Sequence, residues 1–237
     1  MNKADIIAYA KSVGAYSCGI AQARRYDELL PQLEKRGFVP FVRGDLEQRI
    51  NPFLQMKNGK SIIVCLFKYI EGSEQNVAKY ATGGDYHLYV KDKLKKTCEY
   101  IGQNNKYKLF VDTGTLCDKH LAYIAGLGYF GQNNLLYADD IGSRFYIGSI
   151  LTDLKLEPDA PLEKTCLKCG RCIENCVGNA IGQNFGFDVN KCASYLNQKK
   201  EELTETEKQI VKKCGYRLGC DVCADVCPLN LEDNDVR

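Results

Sequence analysis

Residues 166–176 read CLKCGRCIENC, and residues 220–228 read CDVCADVCP. The first stretch has the spacing Cys-x2-Cys-x2-Cys-x3-Cys, which bacterial ferredoxins use to hold iron–sulfur clusters. Two-residue gaps let one tight loop wrap three irons of a [4Fe–4S] cluster, and the fourth cysteine of such a run ligates the other cluster of a pair. The stretch therefore predicts a ferredoxin-like unit that holds two [4Fe–4S] clusters in the last third of the chain.

The second stretch supplies three cysteines, so an eighth ligand must come from elsewhere. By the crossing pattern, the predicted ligands of the first cluster are Cys166, Cys169, Cys172 and Cys227. Those of the second cluster are Cys176, Cys220, Cys223 and one more cysteine, for which the spacing leaves open Cys192 and Cys214. Structural zinc is the alternative, but zinc sites usually show separated Cys-x2-Cys pairs. Three closely spaced cysteines therefore favour iron–sulfur clusters.

The sequence ahead of the cysteine stretches alternates between helical and strand patterns, which predicts an α/β (α+β) domain. An amphipathic helix and a strand are predicted at the N-terminus. Further strands are predicted at 61–69, 108–111 and 145–151, and helices at 86–101, 118–127 and 197–213. The proline-containing stretch 157–161 marks a change of composition. We therefore predict one domain over residues 1–160 and the double-cluster domain over residues 161–237.

The composition is that of an ordinary globular protein, with 45% hydrophobic and 26% charged residues and a net charge of +2. This charge does not demand a nucleic-acid partner. The N-terminus lacks the pattern of a signal peptide, and no apolar run approaches the ~18 residues of a membrane span. We therefore expect a cytoplasmic protein without a membrane span. In that reducing compartment, thirteen cysteines favour metal ligation over disulfides, and those outside the cluster stretches are predicted to be core thiols: Cys18, Cys65, Cys98 and Cys117.

Three smaller features of the sequence bear on function. Residues 126–131 fit the pattern G-x-G-x-x-G, but they follow a helical stretch rather than a strand, so they predict a helix C-cap and not a dinucleotide site. Asp112 stands at the end of a predicted strand before a glycine turn, where α/β folds place reactive groups; the simpler alternative is a turn-forming aspartate. His87 and His120 are interpreted as structural residues.

Four segments together resemble the epoxyqueuosine reductase family, whose relatives include the corrinoid reductive dehalogenases. They are residues 80–87 (YATGGDYH), residues 111–114 (VDTG), residues 125–136 (AGLGYFGQNNLL), and the two cysteine stretches with Cys192 between them. Longer members of that family continue into a C-terminal helical repeat domain, whereas this sequence ends at Arg237, so the resemblance is to a short form.

The resemblance implies that a base-off cobalamin lies between the α/β domain and the cluster domain, and that electrons pass through the clusters to cobalt. The implied reaction converts epoxyqueuosine to queuosine in a tRNA anticodon loop, and a low-potential ferredoxin or flavodoxin would fit as electron donor. Asp112 is implied as proton donor and Cys192 as the eighth ligand. The implied corrinoid contacts are Tyr80, Asp112, Asn133 and Leu136. The alternatives are an electron-transfer protein without substrate chemistry and a corrinoid reductase that acts on a small molecule.

Overall fold

The computed structural model describes residues 2–37, 42–112 and 114–231. Thr113 of the predicted VDTG turn and residues 232–237 of the predicted cluster domain lie outside the described residues. The chain forms two compact units. The first comprises Met1–Lys68, Tyr86–Gly128 and Phe145–Glu163, and the second comprises Tyr69–Asp85, Tyr129–Arg144 and Lys164–Arg237.

The secondary structure follows the predicted alternation in the first unit and consists of short elements in the second. The helices in chain order are α1 (Lys3–Ser12), α2 (Leu30–Arg36), α3 (Leu46–Ile50), α4 (Tyr86–Ile101), α5 (Asp118–Ile124), α6 (Arg171–Glu174), α7 (Ala193–Leu196), α8 (Glu205–Cys214) and α9 (Val222–Asp225). Short 3-10 helices lie at Asp27–Leu29, Pro52–Leu54, Lys79–Ala81, Val189–Lys191 and Pro228–Asn230. The strands are β1 (Ser17–Gln22), β2 (Ser61–Lys68), β3 (Tyr107–Val111), β4 (Tyr129–Phe130), β5 (Leu136–Tyr137) and β6 (Phe145–Thr152).

A four-stranded antiparallel sheet with the order β1-β2-β6-β3 forms the centre of the first unit. Strand β2 lies inside this sheet, and all of its residues before Lys68 are buried. Its sequence SIIVCLFK is therefore continuously apolar rather than alternating, because both faces of the strand are covered. The strand predicted at 61–69 is confirmed, as are those at 108–111 and 145–151 to within one residue.

Helix α4 packs one apolar stripe against strand β6. Its buried positions are Val90, Leu94, Thr97 and Ile101, which share one face at helical spacing. Gly148 of β6 lies beneath this stripe, and a Cβ atom there would come within 2.6 Å of Val90 Cγ1. The glycine therefore permits the close approach of α4 and β6. The helix predicted at 86–101 is confirmed.

Short helices and the two-stranded sheet of β4 and β5 make up the second unit. The helix predicted over 197–213 is wrong in its first half, because α7 ends at Leu196 and α8 begins only at Glu205. Thr204 is the N-cap of α8 and forms a capping box with Glu207, which fixes the later start. Gly215 then ends α8 with φ +76°.

The division into units lies just before Lys164, close to the composition change at 157–161. The second unit also includes Tyr69–Asp85 and Tyr129–Arg144, which the composition of the sequence does not indicate. The functional assignment of the two domains stays a prediction. In the part of the chain that the structure describes, no helix has the length and apolarity needed to cross a membrane.

Candidate functional site

The four cysteines predicted for the first cluster line one cavity of the second unit. The cavity has an empty volume of about 340 Å³. Its lining residues include Cys166, Cys169, Cys172 and Cys227. Burial raises the pKa of the Cys172 thiol, and the charges of Cys166, Cys227 and Cys169 raise it further in that order. Four thiolates at such close range repel one another, so the donor set suits a cationic iron–sulfur core.

Three of the four lining cysteines come from one Cys-x2-Cys-x2-Cys run rather than from separated pairs, and this spacing favours a cluster over zinc.

A second group of thiols surrounds Cys223. The pKa of Cys223 is raised to about 12. Burial is the largest cause, and the nearby charges of Cys192, Cys176 and Cys172 also raise it. The thiols of Cys214 and Cys220 hydrogen-bond with each other. The structure therefore brings five thiols together, although a [4Fe–4S] cluster takes only four thiolate ligands. They are Cys176, Cys192, Cys214, Cys220 and Cys223.

One observation favours Cys192 over Cys214 as the eighth ligand. Cys192, the N-cap of α7, lies near two predicted ligands of the second cluster, because the charge of Cys176 acts on Cys192 and the charge of Cys192 acts on Cys223. Backbone N–H groups lie close to the sulfurs of two other predicted ligands, since Lys168 N lies 3.4 Å from Cys166 Sγ and Ala180 N lies 3.2 Å from Cys176 Sγ. The assignment of individual ligands stays a proposal.

Buried amide side chains brace the cluster region. Asn133, which is 5% exposed, donates from its side-chain nitrogen to Tyr137 Oη at 2.8 Å and to the Cys223 carbonyl at 3.2 Å. Gln132 donates to the Gly182 carbonyl at 2.5 Å. Sequence reasoning did not foresee these contacts, although the polar residues inside the glycine-rich segment 125–136 were a usable signal.

The predicted corrinoid contacts fall in both units. Asp112 belongs to the first unit, and Tyr80, Asn133 and Leu136 belong to the second. Asn133 lines the first cluster cavity, Leu136 is only 3% exposed, and Tyr80 Oη lies 3.5 Å from Gln198 Oε1. The corrinoid role of these residues stays a prediction.

Asp112 follows the last residue of β3 and is exposed. Its φ is +55°, a left-handed conformation that is uncommon outside glycine and that functional sites often retain. Tyr86, the first residue of α4, donates a hydrogen bond from Oη to Asp112 Oδ2 at 2.5 Å. The Tyr86 ring stacks on Tyr146 at 4.3 Å and on His87 at 4.1 Å between centroids. The carboxylate is therefore held by a side chain that is itself fixed by packing.

A second carboxyl, Asp118, lies beside the Asp112 turn. Asp118 is half-buried, but its Oδ1 atom is fully buried and has no hydrogen-bond partner among the described residues. Burial raises the pKa of Asp118 to about 7, and the charge of Asp112 adds to this effect. Sequence reasoning did not assign Asp118 to the site. Its position as the first residue of α5, six residues after Asp112, was the available signal.

The remaining sequence predictions concern structural residues. Gly126 has φ +69° after the end of α5, which confirms that residues 126–131 begin with a helix C-cap. Cys65 is completely buried, and its hydrogen bond with Cys18 and its burial raise its pKa, as expected of a core thiol. Burial raises the pKa of half-buried Cys98 to about 12. His120 lies 3.1 Å from Glu28, and its burial lowers its pKa.

Comparison with known proteins fits this arrangement. Residues 165–230 match the family model of the 4Fe-4S double cluster binding domain. Residues 49–113 match the model described as "Epoxyqueuosine reductase QueG, DUF1730". The fold and the cysteine site thus define an iron–sulfur protein with a double-cluster domain.

Curated relatives give the particular family. The chain is 34% identical over 241 residues to the epoxyqueuosine reductase of Cellulophaga algicola, covering 95% of this chain and 78% of that protein. It is 33% identical over 247 residues to the enzyme of Bacillus anthracis, covering 96% of this chain and 64% of that protein. This chain belongs to the epoxyqueuosine reductase family. It spans somewhat less than two thirds of the length of the Bacillus anthracis relative.

Solved structures agree with the family assignment. The epoxyqueuosine reductase of Streptococcus thermophilus matches with a TM-score of 0.88 and 30% identity, covering 96% of this chain and 66% of that one. The catabolic reductive dehalogenase NpRdhA matches with a TM-score of 0.63 and 19% identity, covering 96% of this chain and 32% of that one. The second match shows a shared fold.

Proposed function

We propose that this chain is a cytoplasmic oxidoreductase that reduces epoxyqueuosine to queuosine in tRNA, using two [4Fe–4S] clusters and cobalamin. Family membership supports the reaction. A relative that matches with 28% identity and a TM-score of 0.87 has been solved with a tRNA-Tyr epoxyqueuosine-modified stem loop, which supports tRNA as the substrate. The thirteen cysteines, few of which are needed for packing, support a reducing compartment.

The proposed chemistry depends on Asp112 as the proton donor. Its carboxyl group is exposed at the end of a strand and is held by Tyr86 at 2.5 Å. Removal of an epoxide oxygen as water requires protons, and a positioned carboxylic acid supplies them. A solved structure of the epoxyqueuosine reductase of Bacillus subtilis has its catalytic aspartate loop swung out of the active site. We take Asp112 as the counterpart of that aspartate.

The rings beside Asp112 position its carboxyl group. Tyr86 lies between His87 and Tyr146, and Tyr146 is buried. When bound, cobalamin would supply the electron-rich cobalt for removal of the oxygen, and Asp112 would hold the proton.

The cysteines of the second unit would hold the two clusters that deliver the electrons. Iron–sulfur clusters reach potentials as low as roughly −700 mV, which suits the reduction of a corrinoid. A low-potential ferredoxin or flavodoxin is the proposed source. The buried amides of Gln132 and Asn133 would keep the cluster loops in place.

The test is anaerobic turnover of an epoxyqueuosine-containing tRNA stem loop by the full chain reconstituted with iron, sulfide and cobalamin. Queuosine would be measured by mass spectrometry of the digested RNA. Asp112→Asn should lower the rate by about 10²–10⁴-fold, as expected for loss of a general acid. Asp92→Asn, an exposed carboxyl on α4, is the matched control and should keep full activity.

Each alternative makes a distinct prediction in this assay. A chain with both clusters and bound corrinoid but no turnover would be an electron-transfer protein. Reduction of the free nucleoside together with failure on the stem loop would indicate a small-molecule reductase. Wild-type turnover by Asp112→Asn would remove the proton-donor role.

A further inference from the structure

The second group of thiols contains one cysteine more than a [4Fe–4S] cluster takes. The proposed ligands are Cys176, Cys192, Cys220 and Cys223, which leaves Cys214 without a ligand role. Cys214 is the last residue of α8, and its thiol hydrogen-bonds with that of Cys220. A spare thiol is therefore in direct contact with a proposed cluster ligand.

One side chain holds together the segment that joins these two cysteines. Asn197 donates from its side-chain nitrogen to the Gly219 carbonyl at 2.6 Å and to the Tyr216 carbonyl at 3.3 Å. Its side-chain oxygen accepts a hydrogen bond from Gly219 N at 3.1 Å. These bonds join groups of the protein alone, so they do not depend on iron.

The same segment also pairs with the chain around residues 76–78. Arg217 N donates to the Asn76 carbonyl at 2.8 Å. Ala78 N donates to the Leu218 carbonyl at 2.9 Å. Because both edges of the segment are fixed by backbone and amide hydrogen bonds, we expect the two thiols to stay close together when the cluster is lost.

A solvent-open cleft leads to Cys214. The cleft lies in the second unit and has an empty volume of about 860 Å³, and its lining includes Cys214, Gly215 and Tyr216. Cys214 itself is 8% exposed. An oxidant as small as hydrogen peroxide therefore has a route to its sulfur, whereas a protein does not.

We propose that Cys214 forms a disulfide with Cys220 when the second cluster is lost to oxidation, and that this bond protects the ligand from irreversible damage. Hydrogen peroxide first oxidises the Cys214 thiol to a sulfenic acid and is reduced to water. The Cys220 thiol then gives up its proton and attacks that sulfur. The S–S bond forms, the S–O bond breaks, and the hydroxide leaves with the proton as a second water.

The protection follows from the oxidation chemistry of cysteine. A sulfenic acid that finds no thiol can pass to sulfinic and sulfonic acids, which thiols do not reduce. A disulfide is reversible, because a dithiol reduces it to two thiols and is itself oxidised to a disulfide. The proposal rests on the ligand role proposed for Cys220 and does not require the proposed tRNA reaction.

Cys192 offers the competing pairings. Its charge acts on Cys223, and the charges of Cys176 and Cys214 act on Cys192. These thiols are near enough to interact through charge, whereas those of Cys214 and Cys220 are in hydrogen-bond contact. The disulfide is therefore expected between Cys214 and Cys220.

The test treats the full chain carrying both clusters with hydrogen peroxide, blocks the remaining thiols with N-ethylmaleimide, and digests the chain with trypsin. Cleavage after Lys213 and Arg217 places Cys214 and Cys220 on separate peptides, which a disulfide would join. Mass spectrometry should find this linked pair about tenfold more often after treatment than before, and fragmentation locates the bond at Cys220. Dithiothreitol should release both peptides.

Cys214→Ala tests the protection. Before treatment this variant should hold about eight irons, as the wild type does. After treatment Cys220 should carry sulfinic or sulfonic acid about three times as often as in the wild type, because its partner is missing. Cys98→Ala, which removes a half-buried thiol from α4 of the first unit, is the matched control and should behave as wild type.

The outcomes separate this disulfide from the proposed function, because no readout needs tRNA or cobalamin. A disulfide at another pair of cysteines, or equal oxidation of Cys220 in the wild type and in Cys214→Ala, would overturn the proposal. Loss of the second cluster from untreated Cys214→Ala would also overturn it, since Cys214 would then be a ligand. The expected disulfide in a chain that does not turn over the stem loop would support the proposal and overturn the proposed function alone.

Discussion

Tyr86 Oη lies 2.5 Å from Asp112 Oδ2, and this hydrogen bond joins the first residue of α4 to the end of β3. The two residues are 26 positions apart in sequence. The contact fixes the carboxyl group that the proposed function uses as proton donor. The sequence marks Tyr86 only as a member of the segment YATGGDYH and gives no sign of this contact.

Tyr86→Phe should lower turnover without loss of substrate binding. The ring stack with Tyr146 and His87 stays, but the hydrogen bond to Asp112 is lost. A hydrogen bond to a charged group contributes about 1.5–3 kcal/mol, so kcat should fall roughly 10–100-fold while KM stays near wild type. Steady-state kinetics on the stem loop measure both constants. Tyr89→Phe on the same helix is the control, and equal losses in both variants would contradict a specific role for Tyr86.

Asp118 should make the folded chain lose stability as pH rises. Its pKa is about 7 in the folded protein, against an ordinary value of 3.8, because it is buried and lies near Asp112. Between these values the unfolded chain has released its proton and the folded chain still holds it, so the folded state binds more protons. The contribution is therefore fully present below about pH 4 and is lost as pH rises toward 7. Thermal unfolding between pH 5 and 8 should show this fall.

Asp118→Asn removes the titrating group. The fall in melting temperature between pH 5 and 8 should therefore be about 5 °C smaller than in the wild type. The asparagine keeps a similar shape, so packing is conserved. Asp92→Asn, on an exposed carboxyl, should leave the fall unchanged. A pH dependence in Asp118→Asn that matches the wild type would show that another group is responsible.

Iron content should identify the eighth ligand. Cys192→Ala removes a thiol that lies near the predicted ligands Cys176 and Cys223, whereas Cys214→Ala removes one that lies beside Cys220. We expect the first variant to lose the second cluster and fall from about eight to about four irons per chain, and the second variant to keep about eight. Colorimetric iron and sulfide assays after anaerobic reconstitution decide between them. The reverse pattern would assign the ligand to Cys214.

Removal of iron should loosen the second unit and leave the first folded. Helices α6, α7 and α9 have four residues each, which is too short to be stable without tertiary support. Strand β2 is buried inside a sheet that does not depend on metal. Hydrogen exchange should therefore show loss of protection at Arg171–Glu174 and Val222–Asp225 after chelation, with Ser61–Lys68 still protected. Equal loss in both units would contradict this independence.

Sequence patterns predicted most of the first unit because its elements are long and regular. SIIVCLFK is a continuous apolar run, and the buried positions of α4 recur at helical spacing. The prediction failed over 197–204, where polar residues of good helix propensity precede the cap at Thr204. Local propensity did not outweigh a capping box that fixes where α8 begins.

The site could be predicted only in part. Cysteine spacing gave the residues of the first cavity, since the run of three and the distant Cys227 follow from cluster chemistry. Spacing could not choose between Cys192 and Cys214, because the choice depends on which thiol the fold places near Cys176 and Cys223. Asp118 was missed for a similar reason, since burial of one oxygen atom leaves no mark in a sequence.

The crossing of the two cysteine runs has a consequence for damage and repair. Cys227 lines the first cavity with Cys166, Cys169 and Cys172, whereas the last cysteine of the first run, Cys176, lies among the thiols of the other site. When oxygen removes iron from one cluster, it frees cysteine ligands on both runs. The loops that hold the other cluster are then less well fixed. Inactivation by air should proceed as a joint event, and a repair system would have to restore both clusters together.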